Sequence, residues 1–424
     1  MKHIYYADAN EHVYQFKLKN GMRVHLIPKD EPTYLTYAEL SVPYGNFALS
    51  FNTNDGLKSL PSGTAHFLEH KIFAMPDGND AFQVFTALGT DANAMTGYTQ
   101  TSYLFSATDH VEEALIHMLH MLDTTYFTQE NVDSERSIIA EELKMYMDDP
   151  QTEMLHHLMN NMYDQHPIIH DIGGTLSSIQ DISPDTLTIA HRYFYHPSQR
   201  LLVMAGKIDI KAIKRLLDAY DQQMEKASIH VIYPKEPRRI KVHHEVIEKP
   251  INIPKIMMGV KLTAKKRPIN QSMRLELAFN YLLGMLFGTS SKLTETLTRQ
   301  GLINQNFYVA PIFEDYTEHL LLYAETKKPF LLKKILVDAL TCGNEDINED
   351  NFERFKKASL GQHVFALNAL EYKAHLYGKY IHQKSNLFEA IDLMKTLTFE
   401  DVRDAAKQIK KNRISTLIYK KAKS

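Results

Sequence analysis

The residues that could do chemistry gather in Gly63-Thr64-Ala65-His66-Phe67-Leu68-Glu69-His70-Lys71-Ile72-Phe73. The pattern is His-x-x-Glu-His, an inverted form of the zinc-hydrolase helix motif. On a helix, His66, Glu69 and His70 fall at i, i+3 and i+4 and share one face. Two neutral imidazoles there can hold a zinc ion. The Glu69 carboxylate then lies beside the open coordination position, where a water is activated. Ala65, Phe67, Leu68, Ile72 and Phe73 cover the flanks and bury the helix. Ser62 or Thr64 is the expected N-cap, and Pro61 and Gly63 break the preceding chain. A solvated helix face satisfies the same positions, so a metal site needs a third ligand.

The strongest candidate for that ligand lies in Asp133-Ser134-Glu135-Arg136-Ser137-Ile138-Ile139-Ala140-Glu141-Glu142-Leu143-Lys144-Met145. This reads as an amphipathic helix with Ile138, Ile139, Leu143 and Met145 broadly on its buried side. Glu135 and Glu142 are two helical turns apart and share a face, whereas Glu141 points away. Glu142 could ligate the metal while Glu135 hydrogen-bonds a ligating histidine. An ordinary solvated acidic face accounts for the same glutamates.

The two segments together, Ala65-His66-Phe67-Leu68-Glu69-His70 and Glu135-Arg136-x-x-Ile139-x-x-Glu142, resemble the pitrilysin/insulysin/mitochondrial processing peptidase family. Between them, Gly89-Thr90-Asp91-Ala92-Asn93-Ala94-Met95-Thr96 is similar to that family's Asn-Ala-x-Thr strand. The resemblance runs along the whole chain. It is closest to the zinc-motif member of paired processing-protease-like proteins of Gram-positive bacteria. It implies a zinc endopeptidase acting on short or unfolded peptides, in processing or degradation. His66, His70 and Glu142 would bind zinc, and Glu135 would support a ligand. Glu69 would be general base and then proton donor. Ala92, Asn93 and Ala94 would hold an extended peptide by strand addition. An ordinary polar residue on an edge strand explains Asn93 equally well.

The elements that must position these residues follow from the rest of the chain. Its 424 residues suit two domains. A hydrophobic content of 44% with 23% charged residues supports packed cores. The net charge of −3, without a basic block, points to no nucleic-acid partner. Cys342, the single cysteine, excludes an internal disulfide, fits a reducing compartment and reads as a small buried hydrophobe. Met1–Tyr14 lacks the apolar core of a signal peptide, and no apolar run reaches membrane-spanning length. A cytoplasmic protein without a membrane partner is expected.

Residues 13–28 read as a hairpin turning at Asn20-Gly21, and 34–42 as a strand. Residues 52–63 read as a loop, 80–88 as a helix and 91–107 as one or two strands. Helices follow at 109–124, 129–148, 151–163 and from Ser183, with a strand at Leu201–Gly206. The second half repeats this order weakly: a strand at 255–262, a helix at 271–287 and strands over 307–325. Helices at 328–342 and 349–381, a helix start at Thr398 and a strand at Ile414–Tyr419 complete it. Ser183 and Thr398 open corresponding helices, which indicates an internal duplication. The fold class is therefore α+β, with two homologous domains, each a mostly antiparallel sheet covered by helices. The resemblance implies that they face each other across a cavity. The expected division is a zinc-binding domain at 1–228, a linker at 229–238 and a non-catalytic domain at 239–424.

The second half has no His-x-x-Glu-His, and His243, His244, His363 and His375 lack spaced partners. One departure from the family matters. Active members carry Arg-x-x-x-Gly-Leu-x-Tyr in the second domain, where the arginine and tyrosine hold the substrate carbonyl. This chain keeps Gly301-Leu302 but has Leu297 and Asn304 at those two places, with Arg299 and Tyr308 nearby. The expectation is a heterodimer with a related subunit that lacks the zinc motif, or else a homodimer. The alternative is a catalytically silent peptide-binding or assembly subunit of the same fold.

Overall fold

The structure is a computed structural model and describes residues 1–29, 33–265 and 267–422, so the last two residues of the expected second domain lie outside it. Its contacts divide the chain into two compact units. The first comprises Met1–Met145, His170–Tyr233 and Val364–Phe388; the second comprises Tyr146–Ile169, Pro234–His363 and Glu389–Ser424.

The first unit is built on a seven-stranded sheet. Its strands run in the order Lys2–Tyr6, Glu11–Lys17, Arg23–Pro28, Leu201–Gly206, Thr36–Val42, Thr101–Ala107 and Asp91–Thr96. Only the contact between Arg23–Pro28 and Leu201–Gly206 is parallel. The expected turn at Asn20-Gly21 forms, with Gly21 at φ 97°. The loop expected over 52–63 is instead half hairpin: Ser50–Thr53 pairs with Gly56–Ser59. Three residues of the expected linker, Ile229–Val231, pair with Ser50–Thr53 as a further strand. Alternating Ser, Thr and Asn hid this small polar sheet, which lacks the apolar period of a core strand.

The second unit has a five-stranded sheet in the order His244–Lys249, Ile414–Lys421, Lys255–Lys261, Thr317–Glu325 and Tyr308–Glu314. One parallel pair again stands at the start, and the rest are antiparallel. This matches, strand for strand, the last five strands of the first sheet. Ser183 and Thr398 form full capping boxes on equivalent helices, Pro184–Phe194 and Phe399–Ala406. The duplication is thus visible in topology where the sequence shows it only faintly.

Each unit borrows one helix from the other half of the sequence. Pro150–Met162 packs on strands Lys255–Lys261 and Ile414–Lys421 of the second unit. Leu370–His382 packs on Leu201–Gly206 and Thr36–Val42 of the first. The helical stretch expected over 349–381 is broken at 367–369, which separates Glu349–Ala366 from this borrowed helix. Polar pairs fix the docking in the first unit. Lys373 meets Glu11, with side chains 2% and 14% exposed; His375 meets the buried Glu39; and Gln15 donates to the Tyr377 hydroxyl. Without this helix, the buried face of Leu201–Gly206 and Thr36–Val42 that it covers would meet water. Residues 1–228 alone are therefore expected to aggregate, and co-expression with 239–424 to restore a folded species. Size-exclusion chromatography and circular dichroism check this; a monomeric, cooperatively unfolding 1–228 fragment would contradict it.

Cys342 is exposed rather than buried, because it caps the end of helix Pro329–Thr341 instead of facing the core. Among the described residues, no helix is long and apolar enough to cross a membrane.

Candidate metal centre

The His-x-x-Glu-His stretch is helical over Thr64–Ile72. Ala65, Phe67, Leu68, Ile72 and Phe73 are all buried in the first unit's core, so the opposite face carries the polar residues. Neither Ser62 nor Thr64 caps it. The N-cap is Gly63 at φ 90°, without a side-chain cap bond, and the Thr64 hydroxyl turns back to the Pro61 carbonyl at 2.7 Å. The reason lies elsewhere in the chain. Asn46 Oδ1 already accepts the Gly63 N–H at 3.0 Å, and the Gly173 carbonyl lies where a Cβ on residue 63 would stand. Gly63→Ala combines a left-handed backbone with that clash. We expect a cost of about 2 kcal/mol or more and a Tm lower by roughly 2 °C or more, readable by calorimetry.

The third element is the helix Gln129–Asp148. Ile139 and Leu143, one turn apart, bury it. Ile138 and Met145, expected on the same side, are 56% and 62% exposed. They flank Glu142 on the helix surface, away from the Ile139–Leu143 stripe. Glu141 points to solvent and pairs with Lys144, as its helical angle requires.

Glu135 and Glu142 both face the motif helix. The Glu142 carboxylate lies 3.7 Å from His66 Nε2 through Oε1 and 3.7 Å from His70 Nε2 through Oε2. One ligand atom from each of the three residues falls within 4.8 Å of the others. No other such group of histidine, cysteine or acidic residues occurs among the described residues. In a tetrahedral zinc site with bonds of about 2.0–2.1 Å, neighbouring ligand atoms stand roughly 3.4 Å apart. The donor set and its spacing fit that ion. Glu135 Oε1 is 3.1 Å from His70 Nδ1, which orients the imidazole with Nε2 inward. Lys71 Nζ, almost fully buried, donates to the other Glu135 oxygen at 3.3 Å.

The electrostatics are mixed. Burial, together with the neighbouring His70, lowers the His66 pKa. Burial also works against charge on His70, but the Glu135 hydrogen bond and the Glu135, Glu69 and Glu142 carboxylates outweigh it and raise its pKa. Glu135 is held below its ordinary value despite burial, by the bond to His70 and by Lys71. Burial raises Glu69, against the opposing hydrogen bond from Thr96.

Glu69 is held by the strand Asp91–Thr96, whose Thr96 hydroxyl donates to Glu69 Oε2. Among the described residues this strand is the outermost of its sheet and is paired on one side only, with Thr101–Ala107. Ala92 and Ala94 pack toward the core, Asn93 is exposed, and its Oδ1 accepts the Ala94 N–H at 2.8 Å. Thr96, Lys71 and Asn46 were not among the expected site residues. Thr96 ends the strand Asp91–Thr96, next to the turn that leads to its partner strand, and nothing in the local sequence signals contact with residue 69.

In the second unit, Leu297 is buried in the apolar core, and Asn304 is exposed with its amide donating to Glu325 at 3.3 Å. Arg299 ends its short helix exposed, and Tyr308 opens the following strand, stacked on Tyr323.

Fold and site together define a two-domain peptidase-like protein with an inverted zinc motif in its first half. Residues 58–175 match the model of the insulinase family, peptidase family M16, and residues 181–310 match the M16 inactive domain. The chain belongs to the M16 peptidase family. It is 32% identical over 416 residues to the zinc protease YmfH of Bacillus subtilis, covering 96% of each chain. It is 24% identical to a zinc protease of Rickettsia bellii, covering 93% of this chain and 94% of that one. The crystal structure of an M16-like peptidase from Alicyclobacillus acidocaldarius superimposes with a TM-score of 0.93 at 26% identity, over 97% of this chain and 99% of that one.

Proposed function

We propose that this protein is a zinc-dependent endopeptidase that cleaves short or unfolded peptides, with a related subunit completing its active site. The observation that carries the reading is the convergence of His66 Nε2, His70 Nε2 and the Glu142 carboxylate beside Glu69. These three residues would hold the ion, which supplies a Lewis acid for the scissile carbonyl and a water acidic enough to attack near neutral pH. Glu135 keeps the His70 imidazole in place. Glu69 takes the proton of the attacking water and gives it to the leaving amine. The open edge of Asp91–Thr96 suits an extended substrate bound by main-chain hydrogen bonds, with Ala92, Asn93 and Ala94 along the contact. Recognition of that kind favours unfolded peptides over particular side chains.

Leu297 and Asn304 support the partner. A buried leucine cannot hold a substrate carbonyl, and Asn304 is engaged with Glu325. A related chain without the zinc motif would supply those groups in trans. The same observation favours the second reading, a silent peptide-binding or assembly subunit. We place the protein in the cytoplasm, where a lone exposed thiol such as Cys342 stays reduced. Purification with and without the related chain, followed by hydrolysis of a quenched unstructured peptide, separates these readings. Activity in the mixture alone supports the paired enzyme. A fully active homodimer would remove the need for a partner, and zinc-free, inactive protein in every combination leaves the binding subunit.

Thr96 offers a finer check. Its hydroxyl bonds the charged form of Glu69 and so holds down a pKa that burial raises. Thr96→Val removes that bond, and the Glu69 pKa rises further. The acidic limb of the kcat/KM profile, below which Glu69 is protonated and inert as a base, is expected to move to higher pH. An unmoved limb with normal zinc content would contradict the role given to Glu69.

A further inference from the structure

The two candidate imidazoles are supported unequally. His70 Nδ1 has Glu135 at 3.1 Å. His66 Nδ1 is buried and meets no hydrogen-bond partner among the described residues. A metal-bound histidine nearly always donates its second ring N–H to a carboxylate or carbonyl, and losing that partner typically costs about 10–100-fold in metal affinity. The side of His66 that lacks a partner is covered by the loop 170–174. A methyl group on Gly173 would stand 3.6 Å from His66 Nδ1, 3.2 Å from Asp171 Oδ1 and 2.9 Å from Leu143 Cδ2. The Asp171 carboxylate and the orphan nitrogen thus border the same small gap, which glycine leaves open.

The loop is fastened there by Asn46, which is 1% exposed. Its Nδ2 donates to the Asp171 carbonyl at 2.6 Å and toward the His170 carbonyl at 3.4 Å. Its Oδ1 accepts from the Gly63 N–H at 3.0 Å and the Ser62 hydroxyl at 3.2 Å. One side chain therefore ties the start of the motif helix to the loop that bears Asp171. Within the loop, Asp171 Oδ1 accepts the Gly173 N–H at 2.7 Å. Every contact used here lies within the first unit.

We propose that the loop 170–174, latched by Asn46, is the outer support of His66, and that Asp171 accepts the His66 Nδ1–H when zinc is held. Asn46 and Asp171 are positioning residues: they fix the tautomer and orientation of one imidazole. The inference rests on the zinc reading above, and its test separates the two. Zinc affinity is measured by chelator competition on the full chain for wild type, Asp171→Asn and Asn46→Ala, with the Tm of each metal-free protein. Asparagine keeps an oxygen for the Gly173 N–H but loses the carboxylate charge that strengthens a bond to the imidazole N–H, so Asp171→Asn is expected to leave the metal-free Tm unchanged and to weaken zinc binding about 10–100-fold. Asn46→Ala frees the loop and weakens zinc in the same direction. Wild type that holds zinc alongside an Asp171→Asn protein that holds it equally well overturns the inference alone. Wild type that holds no zinc overturns both readings. A measurement without a variant guards against misfolding. In zinc-loaded wild type labelled with ¹⁵N-histidine, two hydrogen-bonded Nδ1–H signals are expected from the site, and a single one contradicts the role of Asp171.

Discussion

Glu69→Gln is expected to lower kcat/KM for an unstructured peptide by about 10²–10⁴-fold while zinc content stays at the wild-type level. Glutamine matches the shape of glutamate, and its side-chain oxygen can still accept the Thr96 hydroxyl that Glu69 Oε2 accepts now. What it lacks is basicity. The water then keeps its proton in the attacking step, and the leaving amine has no proton donor. Burial raises the Glu69 pKa above that of ordinary carboxylates, which makes it a stronger base once ionised and suits both halves of the transfer. The measurement is initial rates against substrate concentration, with metal analysis on the same preparation. An active Glu69→Gln protein with full zinc would mean that another group moves the proton.

Glu142→Ala is expected to have the other large effect, on the metal rather than on the proton. Glu142 reaches both imidazoles at once, at 3.7 Å on each side. Its removal leaves two histidines and no carboxylate in the donor set, and His70 stays oriented by Glu135 without a third ligand. Zinc affinity should fall by about 10³-fold or more, beyond the ~10–100-fold typical of outer partners. The protein should then elute metal-free from dialysis and show no hydrolysis. Glu141→Ala, next to it in sequence but directed to solvent, should change neither quantity, so the pair separates ligation from a general loss of negative charge. Equal zinc retention in the two variants would contradict the ligand role of Glu142.

The motif helix was legible because its chemistry is local. Three polar residues at i, i+3 and i+4 and five apolar neighbours leave one arrangement, and the buried set is the one the spacing implies. Glu135 and Glu142 were legible as a pair two turns apart. The apolar side of their helix is narrower than its sequence implies, since Ile138 and Met145 point outward beside Glu142. Contacts that join distant segments left no trace of spacing. Thr96 on Glu69, Asn46 on Gly63 and on the Asp171 carbonyl, and Gly173 against His66 all join residues brought together by folding alone. The N-cap shows how this misleads. Ser62 and Thr64 have the chemistry of capping residues, yet a distant asparagine satisfies the helix start and a close carbonyl demands glycine. The exchange of helices Pro150–Met162 and Leu370–His382 between the two halves of the sequence is equally silent, because an amphipathic helix does not encode which sheet it will cover.

On the proposed function, hydrolysis depends on a metal held by His66, His70 and Glu142. The most direct measurement is cleavage of a quenched unstructured peptide by the protein together with its related chain, before and after chelation and during zinc add-back. We expect cleavage to disappear on chelation and to return in proportion to zinc, saturating at one ion per copy of this chain, with no return in Glu142→Ala. Cleavage that survives complete metal removal, or that returns equally in Glu142→Ala, would contradict it.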